Sequence, residues 1–373
     1  MDVHRSLVGL CLALVVILAL ALPACAQATE EAEQIPFQRS HYPAWSPDGQ
    51  HIAFQSRSGE ESSDVWLIHP NGTSLERVTS DPAVDVRPKW TPNSSSLYFL
   101  SFRGGDRRLW KRVLATGAET QVTQGIVWEY AVSHNGQYLV VETSHLKIIS
   151  AATGADVRWL EFNKYPGSNP TWSPDDQEVA FVRQGNVWVR NALDLSNLRQ
   201  ITTFTHDERL MGRPGWGSGG FIAFDLDGKI YKVRPDGTDL ACVFEDPDPE
   251  NWAESPSWSP DGAKLVFVRS LEDSQELWII NADGTGLTQL THTAAKPAFD
   301  PDEGTYTGSQ SVTISCSSPG VTIRYTTDGS DPTESSTQYT EPVTVDHSLT
   351  LKARAWKTGW FPSIVKTADY VIE

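Results

Sequence analysis

Trp45-Ser-Pro-Asp-Gly49 decides how this chain is read, and it returns intact at Trp258–Gly262. Altered copies lie between: Trp90-Thr-Pro-Asn-Ser94, Val132-Ser-His-Asn-Gly136, Trp172-Ser-Pro-Asp-Asp176 and Trp216-Gly-Ser-Gly-Gly220. The six anchors stand 45, 42, 40, 44 and 42 residues apart. A period in the low forties marks a repeat architecture. Within the motif, Pro presets φ for a turn, Asp suits the next position, and Gly accepts a positive φ at the exit.

Downstream of each anchor runs an unbroken apolar triplet: Ile52–Phe54, Leu97–Phe99, Leu139–Val141, Val179–Phe181, Ile222–Phe224 and Leu265–Phe267. A strand buried on both faces reads this way. A third strand carries a large side chain in one column, at Trp66, Trp110, Ile148, Trp188, Tyr231 and Trp278. Tight turns follow at Asn71-Gly72, Thr116-Gly117, Thr153-Gly154, Asp236-Gly237 and Asp283-Gly284, pairs that favour hairpins. The fourth repeat has a longer loop, Ala192–Asn197. The last strand often closes on a threonine, as in Val78-Thr79, Val122-Thr123, Ile201-Thr202 and Leu290-Thr291. Four antiparallel strands per repeat, six times over, predict an all-β chain with a six-bladed β-propeller across 37–295.

The period stops after Thr291. Short β segments at Ser311–Ser315, Thr322–Thr326, Val343–Val345, Leu349–Ala355 and Ala368–Ile372, spaced by Gly, Asp, Pro and Ser, predict a small C-terminal β-sandwich over 297–373. Asp300, Asp302 and Glu303 read as a solvated linker. At the other end, residues 1–28 read as an export signal: Arg5, then the apolar run Leu7–Leu22, then Pro23. Ala24-Cys25-Ala26 and Ala26-Gln27-Ala28 both suit signal peptidase, and residues 29–36 form a polar tether. Cys242 and Cys316 fall in different domains and predict isolated buried thiols, not a disulfide framework. The 373 residues carry a net charge of −17, which repels nucleic acid and anionic lipid.

Three resemblances follow from these residues. Leu22-Pro-Ala-Cys25 resembles a bacterial lipobox, which implies lipidation of Cys25 as the alternative to plain cleavage. The WSPDG turn, the apolar triplet, the Trp column and the ending Ala282–Thr291 resemble the repeats of TolB-like β-propellers. That resemblance implies the ring fold and leaves activity open, because propellers host many functions. TolB itself adds an α/β domain that is not read here, so its own envelope role does not follow. In the tail, Gly304–Gly308, Val312–Ile314, Ile323–Thr333, Tyr339, Leu351–Ala355 and Gly359–Ser363 resemble the chitobiase/β-hexosaminidase C-terminal domain. This implies an immunoglobulin-like accessory domain of exported, often carbohydrate-active proteins.

No Gly-x-Ser-x-Gly elbow and no His-Glu-x-x-His pair occurs, so no catalytic, metal or cofactor residue is assigned. The segments just before each anchor should reach the channel mouth. They hold Asp85, Arg87, Glu129, Glu208, Arg213 and Glu254, a mixed and net acidic set that predicts a funnel for a basic or peptide-like ligand. Ion pairing within the channel is the alternative. Trp128 and Trp252 lie off the Trp column and either anchor a partner or fill gaps between blades.

The expected protein is an exported, non-catalytic binding protein of the periplasm, cell surface or extracellular space. It contacts a protein partner through the anchor-side loops, does not bind nucleic acid, and meets membrane only through a lipid on Cys25. A polysaccharide-associated accessory role is the first alternative. An enzyme with carboxylates between blades is the second.

Overall fold

The computed structural model describes residues 40–57, 62–160, 166–205, 212–271 and 274–373, so the leader, Cys25 and Glu208 lie outside the described residues. Each repeat folds into a four-stranded antiparallel sheet with its strands in chain order. In blade one these are His41–Trp45, Ile52–Arg57, Ser63–Ile68 and Glu76–Arg77. In blade six they are Trp252–Trp258, Lys264–Leu271, Ser274–Asn281 and Thr288–Gln289. Among the described residues no helix is long and apolar enough to cross a membrane.

Side chains, and not φ preference alone, hold the anchor turn. Ser46 Oγ donates to Asp48 Oδ1 at 2.6 Å and accepts from the His51 N–H at 2.9 Å. Asp48 Oδ1 also accepts from the Gln50 N–H at 3.0 Å. The same clasp joins Ser173 to Asp175 and Ser259 to Asp261, both at 2.6 Å. It joins Thr91 to Asn93 at 2.8 Å and Ser133 to Asn135 at 2.9 Å. The altered copies therefore keep what the turn needs, a hydroxyl followed two residues later by a side-chain carbonyl. Repeat five loses it for a steric reason: a Cβ at Gly217 would stand 2.6 Å from the Trp258 ring.

The anchor indoles tie neighbouring blades together. Trp90 Nε1 donates to the Ala44 carbonyl at 2.9 Å, Trp172 to Ala131 at 3.3 Å, and Trp258 to Gly215 at 3.1 Å. Each such bond stabilises by about 1 kcal/mol net. The closing threonines have a role too. The backbone N–H groups of Val65, Leu109, Val187 and Leu277 donate to Thr79, Thr123, Thr202 and Thr291 at 3.0, 3.1, 3.0 and 2.8 Å.

The apolar triplets fill the seams between blades. Ala223, Phe244, Leu265 and Phe267 pack between blades five and six, and Tyr98, Leu100, Leu139 and Val141 between blades two and three. The seam that closes the ring, between blades six and one, differs. There Phe361 of the tail enters beside Ile52, Phe54, Val266 and Leu277. Its ring meets Trp66 edge-on with centroids 5.2 Å apart. Its N–H donates to the His292 carbonyl at 2.8 Å, and its carbonyl accepts from the Ala294 N–H at 3.0 Å. Burying this side chain contributes roughly 3 kcal/mol to holding the tail on the ring.

The tail is a two-sheet β structure. Ala298–Asp300, Gln310–Ser315 and Val343–Val345 form one sheet. Gly304–Tyr306, Lys366–Ile372, Leu349–Trp356, Thr322–Thr326 and Thr337–Gln338 form the other. Val312, Ile314, Val345, Leu351 and Tyr370 pack between them. Three short strands escaped the sequence reading because they lack alternation. One of them contains Asp300, so that residue is ladder and not linker. Asp302 and Glu303 stay solvated, as expected, and both pair with Lys366 Nζ, at 2.8 and 3.2 Å. The thiols also differ from expectation: Cys242 is exposed within the strand Ala241–Phe244, and Cys316 is half-buried just past Gln310–Ser315, neither in the core.

Candidate functional site

Three residues precede every anchor, and their columns build the channel wall. Directly before the anchor stand Ala44, Lys89, Ala131, Thr171, Gly215 and Ser257. One position earlier stand Pro43, Pro88, Tyr130, Pro170, Pro214 and Pro256. An innermost strand has no ladder partner on its channel side, so a proline without an N–H is tolerated there. One position further back stand Tyr42, Arg87, Glu129, Asn169, Arg213 and Ser255.

In four blades that outermost column is forced into the left-handed region: φ is 54° at Tyr42, 58° at Arg87, 51° at Asn169 and 56° at Ser255. A bulge accompanies each, with the pairing register shifting across His41/Ala44, Val86/Lys89, Ser168/Thr171 and Glu254/Ser257. A non-glycine residue there costs roughly 1–2 kcal/mol, and such strain gathers at functional sites. The preceding blade secures three of these amides. The Arg87 N–H donates to Gln55 Oε1 at 3.2 Å, Asn169 to Glu142 Oε2 at 2.9 Å, and Ser255 to Asp225 Oδ1 at 2.9 Å. Burial lifts the Asp225 carboxyl from 3.8 to about 6, with the Ser255 N–H opposing.

The columns gather three cations around one carboxylate. Arg213 Nε bonds Glu129, Arg87 approaches the same carboxylate at 3.5 Å, and both guanidiniums lie over the Tyr42 ring, at 4.0 and 5.3 Å. Burial alone would raise Glu129, but Arg213, Arg87 and Lys89 outweigh it and hold the carboxyl below its ordinary value. Lys89 is the cation left over. Burial lowers its ammonium, Arg213 and Arg87 add to the effect, and Glu129 opposes it. No described residue hydrogen-bonds that ammonium.

Lys89 is among the residues lining a cavity of about 270 Å³ in the channel. All six residues of the column next to the anchors line it, together with Trp45, Trp90, Trp172, Trp216 and Trp258. Five members of that column are small, which makes the room, and the sixth is a lysine. The arrangement suits one anionic group entering among aromatic walls.

The residues proposed from sequence are not brought together as expected. Glu129, Arg87 and Arg213 do meet in the channel. Asp85 does not: it is buried inside blade two, where Arg103 Nη2 bonds it at 2.8 Å. Glu254 pairs with His41 Nδ1 at 3.0 Å across the closing seam. Trp128 and Trp252 are 51% and 60% exposed and so fill no gap between blades. Arg107 covers the Trp128 ring at 4.5 Å. The charged side chains that line the cavity among the described residues are therefore Lys89 and Arg213, not the net acidic set expected from sequence, while Glu129, Glu142, Asp225 and Glu254 lie around it. Lys89 was missed although the column beside the anchors was readable: one lysine among Ala, Ala, Thr, Gly and Ser. Among the described residues no group of three or more His, Cys, Asp or Glu is placed to hold a metal ion.

Comparison with known families agrees with the architecture. Residues 27–186 match the TolB β-propeller domain, and residues 301–367 match the chitobiase/β-hexosaminidase C-terminal domain. The chain carries a TolB-type propeller followed by a chitobiase-type C-terminal domain. The TolB-type repeats are 32% identical over 145 residues to a TolB homolog of Chlorobium luteolum, covering 37% of this chain and 32% of that protein. They are 36% identical over 89 residues to dipeptidyl-peptidase 5 of Porphyromonas gingivalis, covering 22% and 13%. Each match thus spans a third or less of the relative. Crystalline TolB from Acinetobacter baumannii superposes with a TM-score of 0.52 at 15% identity, covering 68% of this chain and 63% of that one. At that identity the likeness speaks for the fold alone.

Proposed function

We propose that this TolB-type chain is an exported binding protein whose channel mouth takes an acidic segment of a protein partner. Export rests on the leader at residues 1–28, with Cys25 as the lipid attachment point in a membrane-tethered form. The observation that carries the binding reading is Lys89: an ammonium without a hydrogen-bond acceptor among the described residues, in a column of five small residues, lining a tryptophan-walled cavity. A cavity of about 270 Å³ falls just below the ~300–1,000 Å³ of small-molecule pockets. It suits the tip of a segment, an aspartate or glutamate side chain or a C-terminal carboxylate. A charge-assisted bond to that lysine is worth roughly 1.5–3 kcal/mol.

Intrinsic tryptophan fluorescence reports on the cavity, since five anchor indoles line it. Titration with short peptides ending in a free glutamate should give saturable quenching. The same peptides with glutamine and an amidated end should bind at least about tenfold more weakly. Equal binding of the two series would overturn the reading. The peptidase among the relatives favours an enzyme instead, and chromatography of the same mixtures separates the two: cleaved peptide would replace binding with turnover.

A further inference from the structure

A second cavity, of about 800 Å³, lies where the tail meets blade one. Its charged lining is Arg77, Arg324, Arg354 and Lys357 against the single carboxylate of Glu334. Such a surplus is out of keeping with a chain of net charge −17.

The origin of the charge is a register choice. Thr322–Thr326 pairs antiparallel with Leu349–Trp356 so that Arg324 stands directly opposite Arg354, and Thr322 opposite Trp356. Like charges in direct cross-strand opposition are unfavourable. The Arg77 guanidinium is taken by Asp64 at 2.6 Å. Arg324 Nη1 donates to the Ser336 carbonyl at 2.7 Å and Lys357 Nζ to the Pro319 carbonyl at 2.9 Å. Those are neutral acceptors, and no carboxylate of the described residues stands within ion-pair distance of either cation. Trp356 adds an aromatic ring at the end of the arginine row, with the Arg354 guanidinium 5.6 Å from its centroid. Phe361 and Trp66 both line the cavity and join the tail to blade one by their edge-on contact.

We propose that this groove binds a short stretch of anionic polysaccharide, with acidic groups on Arg324 and Lys357 and a sugar ring against Trp356. A planar guanidinium accepts a carboxylate or sulfate through two parallel bonds. The volume lies within the range of small-ligand sites. One wall is the side-chain face of a sheet and not its edge, so a peptide finds no ladder to extend there. The strongly acidic remainder of the chain repels long polyanions such as nucleic acid, while a few sugar residues fit inside the groove.

The test is calorimetric titration of the whole chain with trimannuronate, a sulfated trisaccharide, maltotriose and a single-stranded DNA hexamer. We expect saturable binding of an acidic trisaccharide, with maltotriose at least about tenfold weaker. Which acidic sugar binds better distinguishes carboxylate from sulfate. Arg324→Gln combined with Lys357→Gln should weaken that binding at least about tenfold without lowering the melting temperature, since both side chains are partly solvated and the change relieves the Arg324–Arg354 opposition. Equal binding of maltotriose, equal binding of DNA, or undiminished binding by the double variant would each overturn the proposal.

Discussion

The channel cavity and the domain groove are both lined mainly by cations on an acidic chain, yet their charges arise differently. In the channel, Arg87, Glu129 and Arg213 occupy equivalent positions of different blades, and Lys89 stands one column nearer the anchors. The repeat places them, and burial forces them to neutralise one another as far as they can. In the groove, Arg324 and Arg354 come from two paired strands of one sheet, and the partner wall comes from another domain. Solvent reaches them, so little needs neutralising. The lesson is that the same net charge is a folding problem in one place and a surface property in the other.

Substitutions can break or sharpen that contrast. Glu129→Gln should have the largest effect, because it leaves Arg87, Lys89 and Arg213 without their buried counter-charge. We expect a loss of about 3–5 kcal/mol in urea unfolding. Glu334→Gln, the corresponding change in the groove, should stay within about 0.5 kcal/mol. Similar losses from the two would erase the distinction. Phe361→Ala should cost about 3–4 kcal/mol and split calorimetric melting into separate propeller and tail transitions. A single unchanged transition would show that the closing seam does not couple the domains.

The next effect is pH-dependent. Asp225 has its carboxyl raised from 3.8 to about 6 in the fold. The folded state therefore holds this proton more tightly than the unfolded state. That stabilisation is complete below the unfolded value and is lost as pH rises through about 6. At about 1.36 kcal/mol per pH unit the loss is at most about 3 kcal/mol. Asp225→Asn keeps an acceptor for the Ser255 N–H, so its stability should change less than that of the parent chain between pH 4 and 7. It should exceed the parent at pH 7, and identical pH profiles would contradict this. A smaller effect concerns Lys89→Met, which should raise stability by about 1 kcal/mol by removing a half-buried charge that Arg87 and Arg213 repel, while abolishing binding of the acidic peptides.

Much of the fold was legible in the sequence because it repeats. The anchors counted the blades, and the apolar triplets marked their inner strands. The site was less legible, for two physical reasons. First, alternation along Asp85–Trp90 places Asp85, Arg87 and Lys89 on one face. The left-handed Arg87 and its bulge break that alternation, sending Asp85 to Arg103 inside the blade and leaving Lys89 on the cavity. Summing charges over the segment therefore could not tell which of them line the cavity. Second, Phe361 sits in a proline-flanked turn of the tail, and nothing local to it marks a partner roughly three hundred residues earlier at Trp66. Gly217, by contrast, explains itself only once Trp258 is seen against it.

The most direct test of the central claim is the titration of Lys89 itself, followed by NMR in a protein carrying carbon-13 at lysine Cε. The account predicts a Lys89 ammonium that titrates below ordinary lysine in the free chain. It should move upward when a glutamate-terminated peptide is added, because a carboxylate beside it favours the charged form. A Lys89 resonance that titrates as ordinary lysine, or one that the acidic peptide leaves in place, would contradict it.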